Sequence, residues 1–403
     1  MTNASGLMRG TPAYRRAVLA LVLAGFATFS TLYSVQPLMP VLSRVFSVGA
    51  ATASLALSAT TGVLAVTLFV AGLLSGSLPR KPVMGVSILA SAMLSFAAAM
   101  APNWSVLISV RALDGLALGG VPALAIAYLS EEIHPADLGS AAGLYIAGTA
   151  VGGMGGRVIA GVIADVAGWR TALIALGAIG LVTAVGFMAL LPASRHFQPQ
   201  SGLRLREHMA PIGRHLRHPA LPFVFAWGLL SMGVFVSVYN YVGYRLEAPP
   251  FNLGQSAIAA VFSVYIVGVF TSTAAGRLAD QFGRVRILAT GCVLMCIGVG
   301  IMAMPSVAAI VSGMALLTVG FFAGHATASG WIGRLAETGQ GHAAGLYLLA
   351  YYIGSSAVGS AVGLFWYVGH WTGVTLALGV LMVVGVVVVI RLMYWQRQQM
   401  QKR

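Results

Sequence analysis

Three charged side chains fall inside stretches that are otherwise apolar: Arg111 and Asp114 within 104–131, and Arg157 within 139–166. Counted from Trp104 at 1.5 Å per residue, Asp114 lies about 15 Å deep, and Arg157 lies roughly 13 Å from the same face. Each costs about 2.5–3.5 kcal/mol in a bilayer if unpaired, so the three are expected to gather around a wet cavity. Two chemistries compete. In one, Asp114 gains and loses a proton while the arginines engage a polar solute. In the other, the three form a permanent ion-pair network that only fixes helix packing, and proton carrying would require the pair to break. His325 is a further candidate for proton work or a hydrogen bond, against a buried histidine satisfied by a neighbouring hydroxyl. Tyr239, Asn240, Tyr351 and Tyr352 offer polar groups from the second half of the chain, against plain interface aromatics.

The elements that must position these residues are membrane helices. Hydrophobic residues make up 58% of the 403 and charged residues 8%, against about 25% charged in soluble domains. Lipid is therefore the solvent. Twelve spanning segments are predicted near 17–41, 50–76, 82–101, 104–131, 139–166, 170–192, 219–244, 254–280, 285–304, 306–332, 341–367 and 371–393. The first is too long for the apolar core of a signal peptide and reads as an uncleaved span. The basic linker 193–218 divides 1–192 from 219–403 as two six-helix units, and its His208, His215 and His218 read as solvated side chains rather than a metal site.

The formal charge of +14 suggests nucleic acid, but its distribution does not. Basic residues gather at alternate span ends, with Arg44, Arg170 and Arg245 alone on the opposite side. That bias predicts a multi-pass membrane protein with both termini cytoplasmic. Trp104, Trp169 and Trp371 fall at the outer ends, where rings anchor among headgroups. Cys292 and Cys296 read as small core residues.

The chain contains its own motif twice. Ala141-Ala142-Gly143-Leu144-Tyr145 returns as Ala343-Ala344-Gly345-Leu346-Tyr347, and at the same offset Gly152 falls on Gly354 and Trp169 on Trp371. Upstream, Arg80 falls on Arg284 and Gly120 on Gly324. Gly148, Gly152 and Gly156 occupy one face of the fifth span, allowing a neighbouring backbone to approach closely.

Gly276-Arg277-Leu278-Ala279-Asp280-Gln281-Phe282-Gly283-Arg284 resembles the loop motif of the major facilitator superfamily, and the resemblance covers 15–393. Gly283 can take the turn with positive φ, and Asp280 is expected at a helix N-terminus. In the family this loop is a cytoplasmic conformational latch. The first-half copy keeps Gly72 and Arg80 but has Gly76 in the position of the aspartate, so the gate is expected to rest mainly on the second-half loop. Arg111-Ala112-Leu113-Asp114-Gly115 is similar to a fourth-span motif of proton-linked members. Gly148-Thr149-Ala150-Val151-Gly152-Gly153 is similar to the antiporter motif, with Thr149 in the place of its proline.

The resemblance implies an all-α membrane fold of two pseudo-symmetric six-helix bundles that rock around a central site. It also implies a monomeric transporter of the drug- and solute-efflux type, driven by a proton gradient. No cofactor, metal, nucleotide or nucleic acid is expected: neither Lys81 nor Lys402 sits in a phosphate-binding loop, and no enzyme constellation is spaced recognisably. The first span lacks the acid on which exporters of lipophilic cations often rely, and the net positive cluster favours a small anionic or polar neutral solute. Two alternatives stand beside proton-coupled efflux: an uptake permease for an organic anion or sugar, and a transport-inactive membrane sensor or assembly protein.

Overall fold

The computed structural model describes residues 6–199 and 205–401; among them the chain is helical, with one isolated β-bridge between Leu7 and Ile133. Among the described residues ten helices are long and apolar enough to cross a bilayer. Two of these are each a pair of spans. Pro135–Leu190 breaks at Gly168 (φ 84°), and Gln340–Gln401 breaks at Gly369 and His370. The twelve expected segments are therefore present.

Local chemistry starts and stops them. Thr11 caps the first span, Pro12–Tyr33, its Oγ1 accepting from the Tyr14 N–H at 3.3 Å, and Pro12 occupies the first turn, where its missing N–H costs nothing. Asn103 does the same for the fourth span, Trp104–Glu132, accepting from the Val106 N–H at 3.0 Å. Gly283 ends the eighth span, Gln255–Phe282, at φ 93°, a conformation that side chains disfavour, and the ninth begins at once. Asp280 consequently sits in the last turn of the eighth span, not at a helix N-terminus as expected.

Within the first half, the first span lies along the fifth. A side chain at Gly148, Gly152 or Gly156 would collide with the backbone of Val22, Phe26 or Ser30 respectively, so the three glycines set one continuous line of close approach. The matching line in the second half is uneven. Gly354 meets the Leu229 carbonyl, but Gly228 meets the Tyr347 ring and Gly233 meets Val358, and the eleventh span takes a π-helical stretch over Gly354–Val358. A wider turn accommodates partners that glycine alone does not clear. The outward surface carries large apolar side chains such as Val86, Val166, Val182 and Phe270, which only lipid would solvate.

Short connections make the spans alternate, so both described chain ends and the linker share one face, here the termini face. The linker departs from expectation. Leu205–Leu216 is a helix docked by an Arg214–Thr338 hydrogen bond of 2.7 Å and a His215–Gly339 contact of 3.1 Å. His215 is buried, and His218 caps the seventh span through Nδ1, accepting from the N–H groups of Ala220 and Leu221. Burial holds the His218 imidazole below its ordinary pKa, which suits an acceptor. These two histidines are packing and capping groups, and among the described residues no cluster could hold a metal; the His208 side chain lies outside what is described. Trp169 and Trp371 also depart from expectation: both are 5% exposed, Trp169 packing on Phe46 and Trp371 donating to the Met302 carbonyl at 2.7 Å. Cys292 and Cys296 are free thiols.

Candidate functional site

Both halves line a cavity of ≈ 570 Å³. Phe29, Tyr145, Thr149 and Ala150 come from the first half; Tyr265, Phe322, His325, Tyr351 and Tyr352 come from the second. The lining residues Leu68, Pro122, Gly143, Ser272, Thr273, Ser329 and Leu348 all belong to the termini-side portions of their spans, so the cavity opens toward the termini face. His325 is the one imidazole among its described lining side chains. Its Nδ1 lies 2.9 Å from the Tyr347 hydroxyl, and its ring stacks on Phe321 and lies 4.7 Å from the tilted Tyr351 ring.

At the far face the halves are sealed. Ser360 Oγ donates to Ser58 Oγ at 2.7 Å, Ser356 Oγ to the Ser58 carbonyl at 2.7 Å, and Ser54 Oγ to Ser360 Oγ at 3.1 Å. These hydroxyls zip the second span to the eleventh. Asp165 Oδ2, in the fifth span, accepts from Ser256 Oγ at 2.6 Å at the start of the eighth. Tyr244 reaches the Met39 carbonyl at 2.9 Å, and Arg44 pairs with Glu247 at 2.6 Å.

The three intramembrane charges do not gather as one cluster. Arg111 and Asp114 pair at 2.7 Å with 2% and 1% exposure, one helical turn apart. Arg111 also donates from Nε to the Ala56 carbonyl, from Nη1 to Thr31 and from Nη2 to Leu32. This knot ties the fourth span to the first and second, away from the cavity lining, and it leaves Asp114 Oδ1 without a hydrogen-bond partner.

Arg157 stands elsewhere, fully buried where the halves meet. Its Nε donates to Gln36 Oε1 at 2.6 Å and its Nη1 to the Gly153 carbonyl at 2.6 Å. Its guanidinium lies 4.3, 5.0 and 4.9 Å from the ring centres of Tyr33, Tyr239 and Tyr265. Gln36 in turn donates to Asn240 Oδ1 at 2.8 Å, across the junction, while Tyr239 bonds Thr318 at 3.0 Å. So the expected polar groups divide: His325, Tyr351 and Tyr352 line the cavity, whereas Tyr239 faces Arg157 and Asn240 is linked to it through Gln36.

The loop motifs also differ from expectation. Arg80, which lacks an acid within its own motif, finds Glu131 at the end of the fourth span, with bonds of 3.1 and 2.6 Å, and caps the Ser75 and Leu78 carbonyls. Phe197 covers its guanidinium at 4.4 Å. Next to it, Glu132 Oε1 accepts from the N–H groups of Arg195 and His196 at the start of the linker. In the second half Asp280 bonds Arg284 at 2.9 Å and Arg334 at 3.3 Å, but Asp280 and Arg334 are 59% and 69% exposed. The first-half latch is thus the buried one, and Gly72 has open space around it, as does Gly276. Glu131, Glu132 and Gln36 escaped the sequence reading. Two adjacent acids closing an apolar span, and a single amide late in the first apolar stretch, were the available signals.

A family model described as Major Facilitator Superfamily matches residues 21–264 and 248–402. The chain is 42% identical over 368 residues to the uncharacterized MFS-type transporter YybF of Bacillus subtilis (strain 168), covering 91% of each. It is 41% identical over 388 residues to the inner membrane transport protein YnfM of Escherichia coli (strain K12), covering 96% of this chain and 92% of that one. Among solved structures it superposes on a bacterial homolog of the human lysosomal transporter Spinster, inward-facing and unoccupied, with TM-score 0.75, 14% identity and 94% and 95% coverage. It superposes on the nucleoside transporter NupG with TM-score 0.73, 16% identity and 93% and 98% coverage. At those identities the likeness speaks to the fold.

Proposed function

The chain belongs to the Major Facilitator Superfamily, and from that premise we propose that this secondary transporter exports a small organic solute in exchange for protons, by alternating access. Its relatives are transporters, not enzymes, and a multi-pass inner-membrane setting follows from the spans and the relatives. One observation carries the mechanism: a cavity between the halves opens toward the termini face while hydroxyl and ionic contacts close the far face.

On this reading the basic residues place the termini in the cytoplasm, so the cavity loads from inside the cell. The units 1–192 and 219–403 then rock about the crossings of the second with the eleventh span and the fifth with the eighth. The second of these crossings carries a 3₁₀ turn, Phe262–Tyr265, within the eighth span, a point where a helix bends readily. On this reading the unit is a monomer, since a single chain encloses the whole pathway, and a proton gradient is its energy source.

His325 is the better-placed proton carrier. It borders the cavity and its partner Tyr347 can give or take a hydrogen bond, whereas Asp114 is sealed against Arg111. The test is proton flux in proteoliposomes challenged with organic anions, sugars and cationic dyes, using the parent, His325→Gln and Asp114→Asn. Solute-evoked proton movement that His325→Gln removes and Asp114→Asn retains is the expected pattern. Loss only in Asp114→Asn transfers the proton to the fourth span. Proton-independent movement in the parent overturns the coupling.

A further inference from the structure

Arg157 is a cation without an anion. It is fully buried, it forms no ion pair among the described residues, and its Nη2 has no hydrogen-bond partner. Burying a guanidinium is costly unless a counter-charge and complete hydrogen bonding offset it. Three tyrosine faces offset part. The remaining deficit has a second member. Gln36 receives from Arg157 and donates to Asn240, and at the end of that relay the Asn240 Nδ2 donor is also buried and unpartnered. Two unmet donors, one from each half, flank a single amide.

An acceptor-only group fills such a deficit, and a carboxylate is the smallest organic one that also brings charge. The space for the rest of the molecule lies next to it. Tyr265 contacts the guanidinium on one side and lines the cavity on the other. The cavity walls add Phe29, Phe322, Tyr351 and Tyr352, and no acidic side chain lines it. An added β-carbon at Gly153 would stand at ordinary contact distance from Arg157 Nη1, Tyr265 Oη and Tyr33, at 3.5, 3.6 and 3.6 Å, so the fifth span turns its smallest residue toward the guanidinium.

Resting on the transport reading above and deepening it, we propose that the solute is an organic monoacid: its carboxylate docks on Arg157 and its apolar body occupies the aromatic cavity. Tyr265, on its 3₁₀ turn, is the door between the two subsites.

The test is calorimetric titration of the full-length protein in detergent with benzoate, benzamide and benzylamine, which share a ring and differ in charge. The parent should bind benzoate at least tenfold more tightly than benzamide, and benzylamine least. Arg157→Gln should reduce the benzoate preference to less than twofold while keeping its benzamide affinity, which shows that the cavity has stayed folded; Arg157→Lys should retain part of the preference. Equal benzoate and benzamide affinity in the parent, a preference that survives Arg157→Gln, or no binding of benzoate at all overturns the proposal. Vesicle flux without the benzoate preference would sink this site and leave transport standing; the preference with silent vesicles would do the reverse.

Discussion

Arg111 and Arg157 are both guanidiniums at mid-membrane depth, both essentially without solvent contact, and they are treated oppositely. Arg111 has an aspartate one turn away and three carbonyls from neighbouring spans, so each of its nitrogens is answered within the first half. Arg157 is answered by an amide, one carbonyl and ring faces, and it sits on the junction between halves. The lesson is that depth and charge mark a residue as costly but do not say what it is for. A cation whose partners all move with it is structural; one whose partners divide between two bodies, with a donor left over, is poised to change partners.

The comparison can be broken most directly at Asp114. Asp114→Asn strips Arg111 of its counter-charge, and breaking a buried pair from one side costs about 3–5 kcal/mol. Thermal melting in detergent should fall clearly, and the double variant Arg111→Met/Asp114→Leu should recover much of the loss. An unchanged melting temperature for Asp114→Asn would remove the structural reading of that pair. Next in size is Glu131→Gln, which strands the buried Arg80 for about 2 kcal/mol and should be visible in the same melt.

Smaller is Asp280→Asn. Exposed pairs contribute about 0–1 kcal/mol, so this loop should tolerate the change in stability, whatever it does to transport rate. A melt in which Asp280→Asn exceeds Glu131→Gln would restore the second-half loop as the main clasp. The smallest shift belongs to Arg157→Gln: with no acid to strand and a charge removed, melting should stay level or rise slightly. A fall as large as that of Asp114→Asn would place Arg157 with Arg111 after all.

The spans, the half-chain repeat and the three intramembrane charges were legible because a bilayer penalises polarity so heavily that its demands show in the order of residues. The close approach of the fifth span to the first was legible in Gly148, Gly152 and Gly156, since helical spacing alone puts them in line. Partnership between distant spans was not. Arg80 lies 51 positions from Glu131, and Arg157 lies 121 from Gln36. Linear spacing says nothing about such meetings, so one expected cluster resolved into two sites and one absent acid turned out to be supplied from another helix. The linker was misread for the opposite reason: its polarity suggested solvation, but His215 and His218 spend theirs on the Gly339 carbonyl and on the first N–H groups of the seventh span.

The serine zipper between Ser54, Ser58, Ser356 and Ser360 carries no charge. The one far-side ion pair among the described residues, Arg44–Glu247, is 58% and 31% exposed and adds little to closure. Dissolved ions screen charges but leave neutral hydroxyl contacts almost untouched. A cell in fresh water and a cell in brine would therefore find this lid equally tight, so the leak through the resting protein should be set by temperature and by the cargo inside rather than by the salinity of the surroundings.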